Sequence, residues 1–149
     1  MKKNNFIGKV FLTNSPKKTQ DIACRFAKIL EKGDVVCLYG DLGSGKTTFV
    51  QGLANGLGMK NRIISPTFVI IRSYELKIGI FYHLDLYRTE NEKDFQSLGL
   101  DEILNNKKNI VVVEWAEKLN KSLPKKRIDI ELSYEKDDVR KITFRSSNQ

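Results

Sequence analysis

Apolar residues recur at helical spacing in two segments of the chain. The first opens with Ser15 and Pro16, a favourable N-cap followed by a proline at the first helical position, and its apolar stripe continues to Gly33. The second follows Lys46, and Gly58 stands where that helix should end. We therefore predict two amphipathic helices, each with one face available to a core.

Short runs of β-branched and aromatic residues lie before, between and after these helices, and each run predicts a strand. The runs are 6–13, which we place at a sheet edge, and 34–39, 68–75, 80–87, 110–113, 127–134 and 139–145. Four consecutive aliphatic residues at 110–113 predict a central parallel strand, because such a strand is covered on both faces. The turns at 77–79 and 135–138 predict that the runs beside them pair as two antiparallel hairpins.

The remaining segments carry weaker signals. Residues 90–104 are polar and then weakly helical, and 115–120 predicts one or two helical turns that end at Leu123 and Pro124. A chain of 149 residues has the length of one domain, and no internal repeat or linker interrupts it.

One stretch carries a phosphate-binding motif. Residues 40–48 read G-D-L-G-S-G-K-T-T and match the pattern G-x-x-x-x-G-K-[ST] at Gly40, Gly45, Lys46 and Thr47. The motif stands between a predicted strand and a predicted helix, which is the context that a phosphate loop requires. The alternative is a glycine-rich turn without a ligand. We predict a single P-loop domain over residues 1–149 with an α/β, P-loop NTPase-like fold: a three-layer sandwich whose central sheet is mainly parallel, with antiparallel hairpin additions.

The motif also predicts how a nucleoside triphosphate is held. Glycines permit positive φ, so successive backbone N–H groups can point at phosphate oxygens. Lys46 would reach the β- and γ-phosphates, the Thr47 hydroxyl would ligate Mg²⁺, and Thr48 would donate to the α-phosphate. The residues expected to bind the cofactor are Asp41, Leu42, Gly43, Ser44, Gly45, Lys46, Thr47 and Thr48.

Two acidic residues near the ends of predicted strands could complete this site. Glu114 ends the run I-V-V-V-E, the Walker B arrangement, in which a buried strand delivers a carboxylate to the metal directly or through water. Asp85 lies in the half-polar run H-L-D-L-Y, where it could make a second metal contact or position water. We assign Lys46, Asp85 and Glu114 to catalysis. The metal ligands would be Thr47 and Glu114, and the alternative role for each acid is an N-cap or a surface ion pair.

Other residues could serve the site, each with a structural alternative. Thr67 could sense the γ-phosphate or metal, or be a plain turn residue. Trp115 could pack against the nucleotide site as a switch, or cap the core. The single histidine, His83, is interpreted as a hydrogen-bonded structural residue. Arg72 and Arg88 are candidates for an arginine finger, although surface or structural roles suit both better.

Composition sets limits on location and chemistry. Hydrophobic residues make up 40% of the chain and charged residues 30%, which is ordinary for a globular protein. No apolar run approaches the roughly 20 residues of a membrane span, and residues 1–8 lack a signal-peptide segment, so we expect a cytoplasmic protein without membrane association. Cys24 and Cys37 lack metal-site or C-x-x-C spacing, and we interpret them as small core residues.

The net charge of +8 permits two interpretations. Clustered Lys and Arg bind nucleic acid through its phosphates, whereas lysines spread along a chain more often form a solvated surface. Direct contact with nucleic acid is a hypothesis that involves one basic segment: Lys118, Lys121, Lys125, Lys126 and Arg127.

The combined motifs resemble those of the TsaE (YjeE) family, small bacterial ATPases of tRNA threonylcarbamoyladenosine formation. The motifs are G-D-L-G-S-G-K-T-T at 40–48, S-P-T-F at 65–68, H-L-D-L-Y-R at 83–88, E-W-A-E-K at 114–118 and L-P at 123–124. They occur in order through nearly the whole chain. The closest departure is Ser44, where the family usually has alanine.

The resemblance implies more than the residues alone. It implies a cytoplasmic protein that binds ATP with Mg²⁺, hydrolyses it slowly, and acts with the TsaD and TsaB proteins. TsaD transfers a threonylcarbamoyl group to adenosine 37 of tRNAs that read codons beginning with A, so tRNA association would be indirect. By this resemblance Lys46 contacts phosphate, Thr47 and Glu114 hold Mg²⁺, and Asp85 belongs to the catalytic or coupling set.

Two other function classes remain open at this point. A small-molecule P-loop kinase would need a mobile, arginine-bearing lid, but the segment 90–109 contains no arginine. A nucleotide-gated binding module would use ATP to set a conformation, with incidental turnover. A guanine-nucleotide switch is disfavoured because no N-K-x-D motif occurs.

Overall fold

The computed structural model describes residues 2–59, 70–90 and 92–147. The strands are β1 (Val10–Thr13), β2 (Val35–Tyr39), β3 (Ile71–Leu76), β4 (Gly79–Asp85), β5 (Asn109–Glu114), β6 (Ile128–Tyr134) and β7 (Arg140–Ser146). The α-helices are α1 (Pro16–Ala27), α2 (Lys46–Gly56), α3 (Glu92–Ser97) and α4 (Leu100–Asn105), and the 3-10 helices are Lys3–Asn5 and Ala116–Ser122.

The described strands form one sheet in the order β1-β7-β6-β2-β5-β4-β3. The four inner strands β6, β2, β5 and β4 run parallel, and antiparallel pairings attach β7, β1 and β3. This arrangement confirms the α/β fold, both hairpins, the edge position of β1 and the parallel strand β5. One difference is that β6, predicted only as half of a terminal hairpin, also pairs in parallel with β2. Its alternation of apolar and polar residues does not reveal on which side a second strand pairs.

Helix α1 begins where the sequence predicts and ends earlier. Ser15 Oγ accepts a hydrogen bond from the Lys18 N–H at 3.2 Å, and Pro16 occupies the first turn. The helix ends at Ala27 rather than near Gly33, although Ile29 and Leu30, which belong to the predicted stripe, are still buried. Burial of these two side chains in the connection to β2 explains why the apolar pattern outlasts the helix.

The first strand is also shorter than predicted, because Phe6 belongs to the core rather than to β1. Its side chain is 2% exposed and contacts Phe26 and Phe144 with ring centroids 5.4 Å away in both cases. The Gly8 N–H then donates to Phe144 O at 2.9 Å, just before β1 begins. In the sequence, a buried aromatic residue beside a 3-10 turn cannot be distinguished from an aromatic residue in a strand.

Two apolar layers cover the two faces of the sheet, as a three-layer sandwich requires. Helices α1 and α2 enclose one core, which includes the packed rings Phe26, Phe49 and Phe144. Side chains from α3, α4 and the 3-10 helix Ala116–Ser122 enclose the other, together with Cys37. Both cysteines are free thiols; Cys37 is fully buried, as predicted, and Cys24 only partly.

Helices α1 and α2 approach closely because α2 has glycines on the contact face. A Cβ built on Gly52 would lie 2.4 Å from Gln20 O, and one on Gly56 would lie 2.4 Å from Cys24 O. Real Cβ atoms do not approach carbonyl oxygens so closely. The missing side chains therefore set the distance between the two helices.

None of the helices in the described part of the chain has the length and apolar character needed to cross a membrane.

Candidate functional site

The predicted phosphate loop connects β2 to α2 and is built on glycines at positions that tolerate little else. Gly43 and Gly45 have φ of 79° and 107°, in the left-handed region that favours glycine. A Cβ on Gly40 would lie 2.3 Å from Leu132 O, so this residue allows the loop to pack against β6. The loop ends where α2 begins, and the Phe49 N–H donates to Gly45 O at 2.8 Å. The first N–H groups of a helix lack intrahelical acceptors, so the start of α2 beside this loop suits an anion.

The loop residues predicted to bind a cofactor are placed around one cleft. The cleft has a volume of about 490 Å³, and it is lined by Asp41, Leu42, Gly43, Gly45, Lys46, Thr47 and Thr48. Ser44 differs, because its side chain is 2% exposed and its buried hydroxyl has no hydrogen-bond partner among the described residues. The backbone of Ser44 belongs to the loop, but Ser44 is not among the residues that line the cleft.

Lys46 is held inside the loop. Its Nζ donates to Gly40 O and to Asp41 O, the latter at 3.1 Å, and lies 4.2 Å from the centre of the Trp115 ring. Burial lowers the pKa of Lys46, while the carboxylates of Glu114, Glu117, Asp85 and Asp41 oppose that shift. The ammonium group is thus bound by neutral carbonyls and a ring face, in a cleft that is also lined by Asp41, Asp85 and Glu114.

Glu114 lies beside the loop because β5 is the parallel neighbour of β2. In this register Glu114 pairs with Leu38, two residues before the loop. The Glu114 side chain is 3% exposed, and its Oε1 accepts a hydrogen bond from Thr47 Oγ1 at 3.4 Å. Mg²⁺ binds oxygen at about 2.0–2.1 Å with octahedral geometry, so two oxygens this far apart could share one ion. Thr47 and Glu114 therefore fit a magnesium site.

His83 holds the other oxygen of the same carboxylate. His83 Nε2 lies 2.5 Å from Glu114 Oε2, and the His83 side chain is fully buried. Nε2 carries the proton in this contact when Glu114 is ionised, because a carboxylate only accepts. The ring's Nδ1 is buried and has no partner among the described residues. The prediction of a hydrogen-bonded structural histidine missed that its partner is the candidate metal ligand.

Asp85 ends β4 opposite Glu114, with which it is in register. Its Oδ1 accepts a hydrogen bond from the Tyr87 N–H at 3.0 Å, and the side chain lines the cleft. Burial raises the pKa of Asp85; the Glu114 carboxylate adds to this shift, and the Tyr87 N–H opposes it. The structure thus brings the three predicted catalytic residues Lys46, Asp85 and Glu114 into one site.

Trp115 forms a wall of the cleft. Its φ of 60° is left-handed, a conformation that costs about 1 kcal/mol or more for a residue other than glycine. The ring lies 5.0 Å from the Tyr87 ring, and Lys118 Nζ donates to Tyr87 O and Thr89 O. Trp115 therefore lies at the site, as one of its two predicted alternatives requires. Thr67, the other predicted sensor, lies outside the described residues.

The far wall of the cleft was not predicted. It is formed by the start of α1 and the β6–β7 connection, and its residues are Asn14, Ser15, Pro16, Thr19, Asp138 and Arg140. Ser15 and Pro16 were interpreted only as a helix start, because nothing local indicates that this helix begins beside the loop. Arg72 and Arg88, the candidate arginine fingers, do not line the cleft, whereas Arg140 does. Arg140 also stacks 4.5 Å from the Tyr134 ring.

Comparison with known proteins identifies the family. The family profile described as "Threonylcarbamoyl adenosine biosynthesis protein TsaE" matches residues 13–142. A relative named tRNA threonylcarbamoyladenosine biosynthesis protein TsaE, from Bacillus subtilis (strain 168), is 43% identical over 132 residues, which are 89% of this chain and 82% of the relative. A protein of the same name from Treponema pallidum (strain Nichols) is 40% identical over 116 residues, covering 78% of this chain and 84% of the relative.

A solved structure agrees with these relatives. The crystal structure of YdiB from Bacillus subtilis superimposes with a TM-score of 0.76 and 38% sequence identity, and the match covers 91% of this chain and 83% of that one. The fold likeness is consistent with the P-loop NTPase-like architecture, and the resemblance inferred from the motifs is confirmed. The chain belongs to the TsaE family of tRNA threonylcarbamoyladenosine biosynthesis proteins.

Proposed function

We propose that this protein binds ATP with Mg²⁺ in the cleft, hydrolyses it slowly, and thereby supports TsaD and TsaB. The supported reaction is formation of the threonylcarbamoyl group on adenosine 37 of tRNAs that read codons beginning with A. Membership of the TsaE family supports the assignment of this protein to that pathway. The observation that carries the ATPase proposal is the 3.4 Å distance between Thr47 Oγ1 and Glu114 Oε1, beside a phosphate loop.

Lys46 and the loop amides would bind the phosphates. The present partners of Lys46 are the carbonyls of Gly40 and Asp41, which are weaker acceptors for an ammonium group than a charged phosphate oxygen. Phosphate entry would therefore exchange neutral acceptors for charged ones. The same exchange would draw Nζ away from the Trp115 ring.

Thr47 and Glu114 would hold the magnesium ion, and His83 would keep the Glu114 carboxylate oriented toward it. When bound, the metal supplies Lewis-acid stabilisation of charge on the phosphate oxygens. Since His83 occupies Oε2, Oε1 is the oxygen left facing the Thr47 hydroxyl.

Asp85 would orient the attacking water. It is buried at the cleft, its register partner is Glu114, and one of its oxygens is fixed by the Tyr87 N–H. No arginine other than Arg140 lines the cleft in the described part of the chain, and Arg140 is stacked on Tyr134. An arginine finger contributes about 10³ to 10⁵ in turnover in related enzymes, so we expect slow hydrolysis alone and stimulation by partners.

The far wall would hold the nucleoside. Asn14 and Ser15, just before α1, line the cleft and offer polar side-chain atoms. The guanidinium of Arg140 offers a planar cation that could stack on the base. A cleft of about 490 Å³ lies within the range typical of small-molecule sites.

The test is ATP hydrolysis measured with and without the purified TsaD and TsaB proteins. Glu114→Gln should lower the turnover by about 100-fold, equivalent to roughly 2.7 kcal/mol, and should leave metal-free nucleotide binding intact. Glu102→Gln, which removes an exposed acid from α4, is the matched control and should hydrolyse ATP like the unaltered protein.

The outcomes are separable. Hydrolysis that is unaffected by Glu114→Gln would refute the assigned metal site. If Glu114→Gln abolished hydrolysis and tRNA modification survived, the nucleotide would act as a conformational ligand, and the proposal that hydrolysis supports the pathway would fail. Phosphorylation of a small-molecule acceptor would favour the kinase alternative.

A further inference from the structure

Positive charge is concentrated at the amino ends of the parallel strands, which lie opposite the cleft. The cleft lies at the carboxyl ends of the parallel strands β2 and β5. Six exposed lysines lie at the other end of these strands, in the loops that precede β2, β5 and β6 and in the β3–β4 turn. We call this set the basic edge, and its members are Lys32, Lys77, Lys107, Lys108, Lys125 and Lys126. The sequence separates these residues widely, and the parallel pairing of β6, β2 and β5 brings their loops to one edge.

Backbone contacts fix these loops against one another. The Gly33 N–H donates to Asn109 O at 2.7 Å, which joins the loop of Lys32 to that of Lys107 and Lys108. A Cβ on Gly79 would lie 2.4 Å from Lys108 O, so the β3–β4 turn is packed against the same loop. Ser147 Oγ donates to Lys125 O at 2.5 Å, which holds the third loop to the end of β7. These contacts hold the loops of the basic edge in fixed positions relative to one another.

The charge of the basic edge is not neutralised locally. Within the described ranges, none of its six ammonium groups forms a salt bridge. Two nearby acids are already paired: Asp34 with Lys3 at 2.9 Å, and Asp129 with Arg127 at 2.9 Å. The remaining exposed acid of these loops is Glu31, which leaves a large positive excess.

We propose that the basic edge binds the phosphate backbone of RNA, tRNA being the RNA of the family's pathway. Several point charges from separate loops on one rigid edge suit a repeating polyanion and release its counterions. The proposal goes beyond ATP hydrolysis and does not depend on it, since the two sites lie at opposite ends of the strands. RNA and nucleotide could be bound together.

The hypothesis of direct tRNA contact through Lys118, Lys121, Lys125, Lys126 and Arg127 stays a prediction, and the structure shows which of these residues already have partners. Lys118 Nζ is held by Tyr87 O and Thr89 O, and Arg127 donates to Asp129 and to Pro124 O. These two cations already form intramolecular hydrogen bonds. Of that segment, Lys125 and Lys126 belong to the basic edge.

The experiment measures binding of a fluorescein-labelled, unmodified tRNA transcript by fluorescence anisotropy, without nucleotide, between about 50 and about 200 mM KCl. The test variant is K107Q/K108Q/K126Q. The matched control, K93Q/K136Q/K141Q, removes three exposed lysines from other parts of the surface. Both should unfold at the same temperature as the unaltered protein, because they change exposed side chains only.

We expect the test variant to bind at least about tenfold more weakly at low salt, and its salt slope to be shallower by about 2, since each phosphate contact adds about 0.7–0.9. The control should keep both values. Absence of binding by the unaltered protein, or equal losses in the two variants, overturns the proposal. Equally tight binding of polyglutamate would assign the edge to acidic proteins and also overturn it. ATP hydrolysis by the same preparations separates this failure from failure of the ATPase proposal.

Discussion

His83 Nε2 lies 2.5 Å from Glu114 Oε2, and the contact joins neighbouring parallel strands in the interior of the sheet. Both side chains are almost completely shielded from solvent, at 0% and 3% exposure. A carboxylate in such surroundings is costly unless it is hydrogen-bonded. The pair therefore fixes which Glu114 oxygen is available to Thr47.

We predict that His83→Ala weakens magnesium binding by about 10- to 100-fold, the usual effect of losing a group that orients a metal ligand. Magnesium is titrated into the nucleotide-bound protein, and the emission of Trp115, the single tryptophan, reports binding. His83→Gln, which keeps a side-chain N–H donor, should recover part of the loss. A histidine with a purely structural role would lower the melting temperature in both variants and leave the magnesium midpoint unchanged.

The contact between Lys46 and Trp115 predicts an optical signal for phosphate binding. ATP should draw Nζ off the ring, where it now lies 4.2 Å from the centre, and so change the emission of Trp115. Lys46→Ala should alter the emission before ATP is added and weaken ATP binding by about 10- to 100-fold, as expected for a lost charged hydrogen bond of about 1.5–3 kcal/mol. Lys93→Ala, on α3, serves as the control. An unchanged emission in protein that calorimetry shows to be saturated with ATP would contradict this prediction.

Gly52→Ala should destabilise the protein although alanine is the better helix former. In an unhindered helix this change gains up to about 1 kcal/mol, but here the new Cβ would lie 2.4 Å from Gln20 O. We expect a net loss of about 1–3 kcal/mol in the free energy of unfolding, measured in urea. Asn55→Ala, at an exposed position of the same helix, should be neutral or stabilising. Equal stability of the two variants would show that α1 and α2 can separate at no cost.

The two thiols should differ in reactivity. Burial raises the pKa of Cys37 from its ordinary 9.0 to about 12, with Asp129 adding to the shift, so the folded protein holds a neutral thiol. A disulfide reagent at about pH 8 should modify the partly exposed Cys24 first and Cys37 only on unfolding. Because the folded pKa is raised, the contribution of Cys37 to stability is complete below pH 9.0 and is lost as the pH approaches about 12. Equal rates for both thiols in the folded protein would contradict the buried position.

Local signals in the sequence predicted the part of the site that consists of the phosphate loop and Glu114. A phosphate loop is a contiguous motif, and Glu114 ends a run that is apolar on both faces, so short-range patterns were enough for both. The far side depends on where α1 and the β6–β7 connection lie relative to the loop. Ser15 and Arg140 are far from the motif in sequence, and no local pattern indicates that they share its cleft.

The same reasoning explains the partial prediction for His83. A single histidine in a half-polar strand indicates a buried hydrogen bond, but the partner is set by the register between β4 and β5. Register between strands separated by two helices is a property of the whole sheet. The early end of α1 has a similar origin, because Ile29 and Leu30 remain buried after the helical geometry ends.

The close approach of α1 and α2 has a consequence for the dimensions of the nucleotide cleft. Helix α2 starts at the phosphate loop and the start of α1 also lines the cleft, so we expect a change in the separation of the two helices to change the width of the cleft. That separation is set by the hydrogen atoms that stand in place of side chains at Gly52 and Gly56. A methyl group at either position, remote from any phosphate, would act as a spacer and alter the aperture into which a nucleoside must fit.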